Sequence, residues 1–360
     1  MSRCKLEEFI SYEQPSKYIV NSDQYDDSFE IPVLTAGKSF ILGYTDETNN
    51  IFDNLPVIIF DDFTTSVQFV DFPFKVKSSA MKLLKNTEQA DIKYCYYLLK
   101  FLQHTPENHK RQWLSATSQN IVELPTIEKQ KNIVMKLDKI LEVIDNQNKQ
   151  LELLDEAIKA RFVEMFGDNK YEELAVEKVC TSIVDCPHTT PKYNGDLRNP
   201  AIRTSEIKKG FITWDTMKYV SDEEYIERTA RLKPQQGDIV YGREGTFGNA
   251  AILPKGYKFC LGQRVMLLRP NNEFCISQYL LRALISDEVY NQALAKNNAS
   301  TVAHVNVKDV KNFMIPVPPL ELQNQFASFV EEIDKSRSRI QKSLEASQEL
   351  FDSLMQEYFG

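Results

Sequence analysis

The chain has 360 residues, 42% of them hydrophobic and 26% charged, with a formal net charge of −8. Its size leaves room for more than one core, and its composition excludes an intrinsically disordered chain. No apolar run approaches the ~18 residues needed to cross a bilayer, and the opening MSRCKLEEF lacks the apolar stretch of a signal peptide, so no membrane partner is expected and the cytoplasm is the default compartment.

The charge is uneven. Residues 1–124 hold 12 basic and 17 acidic side chains, residues 125–167 hold 7 and 8, residues 168–317 hold 20 and 18, and residues 318–360 hold 4 and 8. Nucleic-acid binders are often basic, so this balance excludes a lone, tight, non-specific DNA binder while leaving room for local basic patches or phosphate contacts shared with a basic partner. The six cysteines show no paired spacing, which points to reduced thiols. Cys180, Cys186 and His188 lie close together, but they match no zinc spacing and have no evident fourth ligand, so no metal is expected.

In chain order, residues 31–45 read as strand, turn, strand, 56–63 as a buried strand running into a polar turn, 72–85 as further strand, and 91–103 as a helix. Little precedes the first of these strands. A long helix follows, with apolar residues alternating by four and three at Ile133, Leu137, Ile140, Ile144, Leu151, Leu154 and Ile158, which is a heptad seam. Pro125 stands before it and Gly167 closes it. About 38 helical residues make a rod of roughly 57 Å. Segments 199–214, 237–253 and 259–270 again read as strands and turns, and 276–296 reads as one helix. The last helix carries the seam Phe326, Val330, Ile333, Ile340, Leu344, Phe351 and Leu354. Gln147 and Arg161 interrupt the first seam and Arg337 and Ser347 the second; polar seam residues fix register at some cost in stability.

The two helical segments align without a gap at an offset of 193, from Pro125/Pro318 through Glu128/Glu321 and Gln130/Gln323 to Gly167/Gly360. The step Tyr97-Leu98-Leu99-Lys100 returns as Tyr279-Leu280-Leu281-Arg282. A constant register over 43 residues marks a tandem duplication. It divides the chain into globular units at 1–124 and 168–317, each followed by a helix, at 125–167 and 318–360. Each helix needs a partner for its stripe. The other copy is the simplest one, and placing the globular units at opposite ends requires the pair to be antiparallel.

This arrangement resembles the specificity subunits of type I restriction–modification systems, in which each of two variable units precedes a long helix opening with a P-x-x-E-x-Q segment, here PTIEKQ (125–130) and PPLELQ (318–323). IPVLTAGKSFILGYT with PVIIFDDFTTSVQFVDFPFKVKSSAMKLL, and GDIVYGREGTFGNAAIL with TVAHVNVKDVKNFMIPVPPLELQ, resemble two types of target-recognition domain. The resemblance implies an α+β fold: two mixed α/β target-recognition domains, 1–124 and 168–317, joined by spacer helices 125–167 and 318–360 paired as an antiparallel coiled coil, with a pseudo-two-fold internal repeat. It implies a non-catalytic subunit that reads a bipartite double-stranded DNA target. Its paired helices set the gap and dock two methyltransferase subunits, which a restriction and translocation subunit joins. S-adenosylmethionine then belongs to the methyltransferase, and this chain binds no cofactor of its own. A coiled-coil scaffold that binds only protein is the alternative; it leaves two diverged lobes with polar turns unexplained.

Base readout needs donors and acceptors on turns beside a groove, with Arg and Lys for phosphates and guanine. The turn 242–248 offers Arg243 and Thr246, with a plain hairpin pairing Arg243 and Glu244 in solvent as the bland reading. Its counterpart is Asp61-Asp62-Phe63 with Thr64, Thr65 and Ser66; the two carboxylates lack the loop of oxygen ligands a metal needs. Lys75, Lys77, Ser78 and Ser79 occupy the strand position of Gln263 and Arg264, with a solvated strand face as the alternative. Lys38 joins the first unit's set. Before the helices lie Lys110 and Arg111 in one unit and Asn297, Ser300, Thr301 and His304 in the other, all equally readable as ordinary loop. Arg203, Ser205, Lys208 and Lys209 form a basic cluster suited to phosphates. No methyltransferase Asn/Asp-Pro-Pro-aromatic segment, GxGxxG turn or GxSxG turn is present. Glu206-Ile207-Lys208 is a Glu-x-Lys tripeptide of the nuclease sort, common by chance.

Overall fold

The computed structural model describes residues 2–37, 39–106, 111–167, 171–194, 197–244, 248–296 and 305–360. It divides into two units, Met1–Lys149 with Gln341–Gly360, and Gln150–Ile340.

The first unit contains strands β1 (Ser2–Lys5), β2 (Ile10–Glu13), β3 (Ile31–Leu34), β4 (Ile41–Thr45), β5 (Val57–Asp61), β6 (Val67–Val70), β7 (Lys75–Val76), β8 (Met81–Asn86) and β9 (Ile121–Leu124). Helices α1 (Ile92–Phe101) and α2 (Gln112–Ser115) follow β8, and the N-terminal part of α3 (Ile127–Phe166) belongs to the same unit. One sheet has the order β2-β8-β5-β6, all antiparallel. A second has the order β4-β3-β7, in which β3 and β7 are parallel. β1 and β9 form an antiparallel ribbon. The residues before position 31 thus supply two strands where the sequence pattern shows little. The burial of β2 explains why: only Ile10 of its four residues is buried, too short a signal for alternation to register.

Every residue of β5 is buried. Its alternate side chains feed two different cores. Ile58 and Phe60 pack with α1, α3 and the C-terminal part of the last helix, whereas Val57 and Ile59 pack with Leu34, Phe74 and Val76 on the opposite face. A strand covered on both sides must be apolar throughout, which is why PVIIFDD reads as a continuous run.

The second unit repeats this plan with one added strand, β12, at the edge of its second sheet. It contains β10 (Glu173–Ala175), β11 (Cys180–Asp185), β12 (Tyr193–Asn194), β13 (Asn199–Ile202), β14 (Lys218–Val220), α4 (Asp222–Arg228), β15 (Ile239–Gly242), β16 (Ala250–Ile252), β17 (Cys260–Leu261), β18 (Val265–Pro270), α5 (Ser277–Leu284), α6 (Asp287–Lys296), α7 (Val307–Lys311), β19 (Met314–Pro316) and the N-terminal part of α8 (Leu320–Phe359). The sheets run β11-β18-β15-β16 and β12-β14-β13-β17, again with one parallel pair, β13 with β17, and a β10–β19 ribbon. Ile239 and Tyr241 face the helical core, and Val240 faces the other one. The single helix expected over 276–296 is broken into α5 and α6. Ser286 is the reason: its hydroxyl accepts from Val289 N (3.4 Å), with Asp287 and Glu288 filling the first turn, an N-cap inside an apparently continuous pattern.

Within each unit the long helices run antiparallel. In the first, Lys136 Nζ lies 3.2 Å from Tyr358 Oη, and Gln147 Nε2 donates to Ser343 Oγ (2.8 Å). In the second, Arg337 meets Asp155 (2.5 Å) and Phe162 packs on Phe326 (5.5 Å between centroids). Ile133, Leu137, Ile158, Phe326, Val330 and Phe351 are buried, and Ile140, Ile144, Leu151, Leu154, Ile333, Ile340, Leu344 and Leu354 are partly buried, as the seam requires. The seam's polar residues have found partners: Gln147 has Ser343, and Arg337 has Asp155.

The repeated glutamine of the P-x-x-E-x-Q segment is wholly buried in both copies. Gln130 donates from Nε2 to Pro125 O (2.9 Å) and Gln89 O (3.1 Å) and accepts at Oε1 from Asp91 N (2.7 Å). Gln323 donates to Pro318 O (2.8 Å) and Phe274 O (2.8 Å) and accepts from Ile276 N (3.0 Å). Asp91 and Ile276 are the N-cap residues of α1 and α5, so one carboxamide ties the start of each long helix to the start of a lobe helix. Replacing it leaves three backbone groups unpaired, among them the buried carbonyl of Pro125 or Pro318. Gln130→Ala is expected to destabilise the first unit, and Gln323→Ala the second, by about 2–4 kcal/mol in denaturant unfolding; a change below about 0.5 kcal/mol would show the carboxamide to be dispensable.

Candidate nucleic-acid interface

Three loops converge at one residue in each unit. In the first it is Asp62, in the turn from β5 to β6. Its N–H donates to Ala80 O (3.1 Å), just before β8, and its carbonyl accepts from Gln112 N (2.8 Å), at the start of α2. In the second it is Arg243, after β15. Its N–H donates to Arg264 O (3.0 Å), just before β18, and its carbonyl accepts from Val305 N (2.9 Å), before α7. The backbone clamp is the same, but the side chains have opposite charge. Asp62 is buried against Lys82 (2.9 Å) and also accepts from Trp113 N (2.9 Å). Arg243 is buried against Asp185 (2.9 Å).

The first unit's turn is cross-tied by side chains. Asp61 Oδ1 accepts from Phe63 N (2.7 Å) and Thr64 N (3.1 Å). Thr65 has φ +57°, and its hydroxyl donates to His104 O (2.7 Å) and accepts from His104 N (3.0 Å). In the second unit Gly248 takes φ +84°, and a Cβ there would meet the Tyr290 ring at 3.0 Å, so any other residue would be both strained and crowded.

Three expected contacts therefore turn inward. Thr65 is buried on His104, and Arg243 is buried on Asp185. Lys75 is wholly buried, pairing with Glu47 (2.8 Å) and donating to Asn49 O (2.9 Å). Each has a fixed partner from a distant segment, which is what makes burial of its polar group tolerable. Arg203 is tied to Glu206 (2.5 Å) and Thr216 O (2.7 Å) and does not join Lys208 and Lys209. Burial alone raises the pKa of Glu206, but bonds from Arg203, Ser205 and Thr216 outweigh it and hold the carboxyl below its ordinary value. The carboxylate of the Glu-x-Lys tripeptide is thus spent on structure. Lys77 pairs with Asp23 and keeps partial exposure.

The outward-facing set is smaller. Thr64, Ser78 and Arg111 are exposed in the first unit, with Ser66 and Ser79 partly so. Ser205, Lys208, Lys209 and Arg264 are exposed in the second, and Gln263, partly exposed, donates to Thr190 Oγ1 (3.0 Å). Lys38, Lys110, Thr246, Asn297, Ser300, Thr301 and His304 lie outside the described residues. Residue patterns miss the inward partners Lys82, Glu47 and Asp185; of these only Lys82, a lone cation inside the buried run Met81–Leu84, carries a visible signal. Among the described residues no group of three or more His, Cys, Asp or Glu is placed to hold a metal, and no helix is long and apolar enough to cross a membrane.

Glu47 accepts from Lys75, from Ser22 N (3.0 Å) and from Asn21 N (2.7 Å). The Lys75 bond, with burial opposing it, holds the Glu47 carboxyl at about 2 against an ordinary value of 4.5. A depressed carboxylate contributes its stability above the unfolded-state value and loses it as pH falls through the folded one. Wild type should therefore exceed Glu47→Gln by a constant margin above about pH 5, and the margin should shrink as pH falls toward 2; urea midpoints measured across that range check it.

Residues 195–348 match the family model described as a type I restriction modification DNA specificity domain. The chain is 29% identical over 375 residues, 96% of itself and 89% of the relative, to the Escherichia coli type I restriction enzyme EcoR124I/EcoR124II specificity subunit. It is 30% identical over 177 residues, 47% of itself and 41% of the relative, to a Methanocaldococcus jannaschii protein described as a putative type I restriction enzyme MjaX specificity subunit. Its fold matches the crystal structure of a type I restriction–modification S subunit from M. genitalium over 100% of this chain and 96% of that one, at TM-score 0.62 and 13% identity. It also matches a chain from a structural study of complex assembly and conformational transition in a type I system, over 99% of this chain and 97% of that one, at TM-score 0.53 and 15% identity.

Proposed function

The chain belongs to the family of type I restriction–modification specificity subunits, and we propose on that premise that each of its units reads one half of a bipartite duplex-DNA target. DNA sequence recognition is the role of the family, whose catalytic activities lie in other subunits. The observation that carries the bipartite reading is the repeated clamp. Two units whose four-stranded sheets share one strand order present the same three loops, held by the same pair of backbone bonds at Asp62 and Arg243, yet the side chains facing outward differ. A constant frame with divergent exposed donors is what two independent sequence readers require.

In this reading Thr64, Ser66, Ser78, Ser79, Lys77 and Arg111, with Lys38 and Lys110, serve one half-site. Gln263, Arg264, Ser205, Lys208 and Lys209, with Thr246, Asn297, Ser300, Thr301 and His304, serve the other. The buried Lys75, Arg243 and Thr65, and the partly exposed Arg203, hold loops in place instead. The paired helices set the gap and dock two methyltransferase subunits, which bring S-adenosylmethionine and flip the target adenine, and a restriction and translocation subunit joins them. A groove of about 770 Å³ in the second unit, lined by Phe162, Val163, Phe166, Tyr171, Val289 and Met314 among others, supports docking of a protein partner. The assembly acts on DNA in the cytoplasm.

Long-read methylome sequencing of cells with and without this gene tests the reading: a two-part methylated motif should vanish with the gene, and an unchanged methylome would overturn it. Seven residues inserted after Lys149 and seven after Ile340 keep both seams in phase and add about 10 Å of helix. The two half-site sequences should persist while the gap grows by about three base pairs. An unaltered gap would remove the helices as its ruler.

A further inference from the structure

We infer that Arg264 reads a guanine in the half-site served by the second unit, with Glu244 as the positioning residue that aims it; this rests on the reading of that unit as a DNA-recognition domain. Arg264 lies between β17 and β18, and its carbonyl receives Arg243 N–H, so its backbone is fixed where the three loops meet. It has φ +65°, a left-handed conformation unfavourable to a residue with a Cβ. The clamp does not demand this: the corresponding acceptor in the first unit is Ala80, which is not among the described residues with positive φ. An arginine kept where glycine would relieve strain is kept for its side chain.

That side chain is 62% exposed, and its Nε lies 2.8 Å from Glu244 Oε2, which is itself only 24% exposed. With Nε held by a carboxylate, the guanidinium plane is fixed and the two Nη groups form its outward end. Among the described residues neither Nη has a hydrogen-bond partner. A planar pair of donors held in one orientation matches the O6 and N7 acceptors of guanine in the major groove, a pattern no other base presents. A lysine ammonium at this place has no such plane for Glu244 to orient.

The test uses the full chain expressed with its methyltransferase partners, with methylomes recorded for wild type, Arg264→Gly, Arg264→Lys, Glu244→Ala and Glu244→Gln. Arg264→Gly removes the strain along with the side chain, so its thermal transition should be unchanged or higher. At one position of one half-site, preference for guanine should fall about tenfold or more in Arg264→Gly and Arg264→Lys, with the other half-site intact. Glu244→Ala should relax the same position partially, and Glu244→Gln, which still offers an acceptor to Nε, should restore it. A guanine preference that survives Arg264→Gly overturns the inference. So does an even loss of methylation at every site with no position relaxed, the mark of a phosphate contact. A wild-type methylome with no motif dependent on this chain would instead overturn the reading of the units as DNA-recognition domains.

Discussion

One buried carboxamide per unit holds the long helices to the lobes. Gln130 and Gln323 each satisfy three backbone groups that helix starts and turns would otherwise leave unpaired at partly or wholly buried positions. A shorter or charged side chain at either place cannot make the same three bonds. The apolar seam alone fixes how two helices face each other and says little about how a lobe is oriented on them. The carboxamide sets that orientation, with help from Tyr97, whose hydroxyl donates to Asp138 (2.6 Å), and Tyr279, whose hydroxyl donates to Pro316 O (2.6 Å). Any loop carried by a lobe is placed relative to its helix through these contacts.

The clamps at Asp62 and Arg243 solve a second problem. A loop whose exposed side chains differ between the two units must still keep its shape. Both units meet that need with backbone bonds, which tolerate any side chain, and then neutralise the clamp residue with a buried counter-ion of whichever sign is required, Lys82 in one and Asp185 in the other. Removing one partner of such a pair leaves an uncompensated buried charge, so either member alone changes less readily than the two together.

How much of this is legible in sequence depends on the length of the signal. The helices declare themselves because their period persists over 43 residues and recurs at a fixed offset. β5 is legible because burial on both faces makes it uniformly apolar. β1 and β2 are not, since each spans four residues and only Ile10 of β2 is buried among the described side chains, too few positions for a period. The break at Ser286 is written as an N-cap followed by acids, but the apolar pattern on either side conceals it. At the interface, charged residues in turns and short strands read as solvent-facing by default. Lys75 and Arg243 defeat that default because Glu47 and Asp185, remote in sequence, arrive beside them only once the fold forms. Exposure of Thr64, Ser78 and Arg264 is likewise a tertiary fact, although their residue types point the right way.

The Arg337–Asp155 contact separates the fates of the two helices. At the repeat's offset of 193, Arg337 corresponds to Ile144 and Asp155 to Gln348. A pairing of the first helix with another copy of itself would set Asp155 opposite isoleucine; a pairing of the last helix with its own copy would set Arg337 opposite glutamine. Neither restores the 2.5 Å ion pair. The contact therefore favours pairing of the two different helices over pairing of either with a copy of itself, by the roughly 0–1 kcal/mol of a partly exposed ion pair.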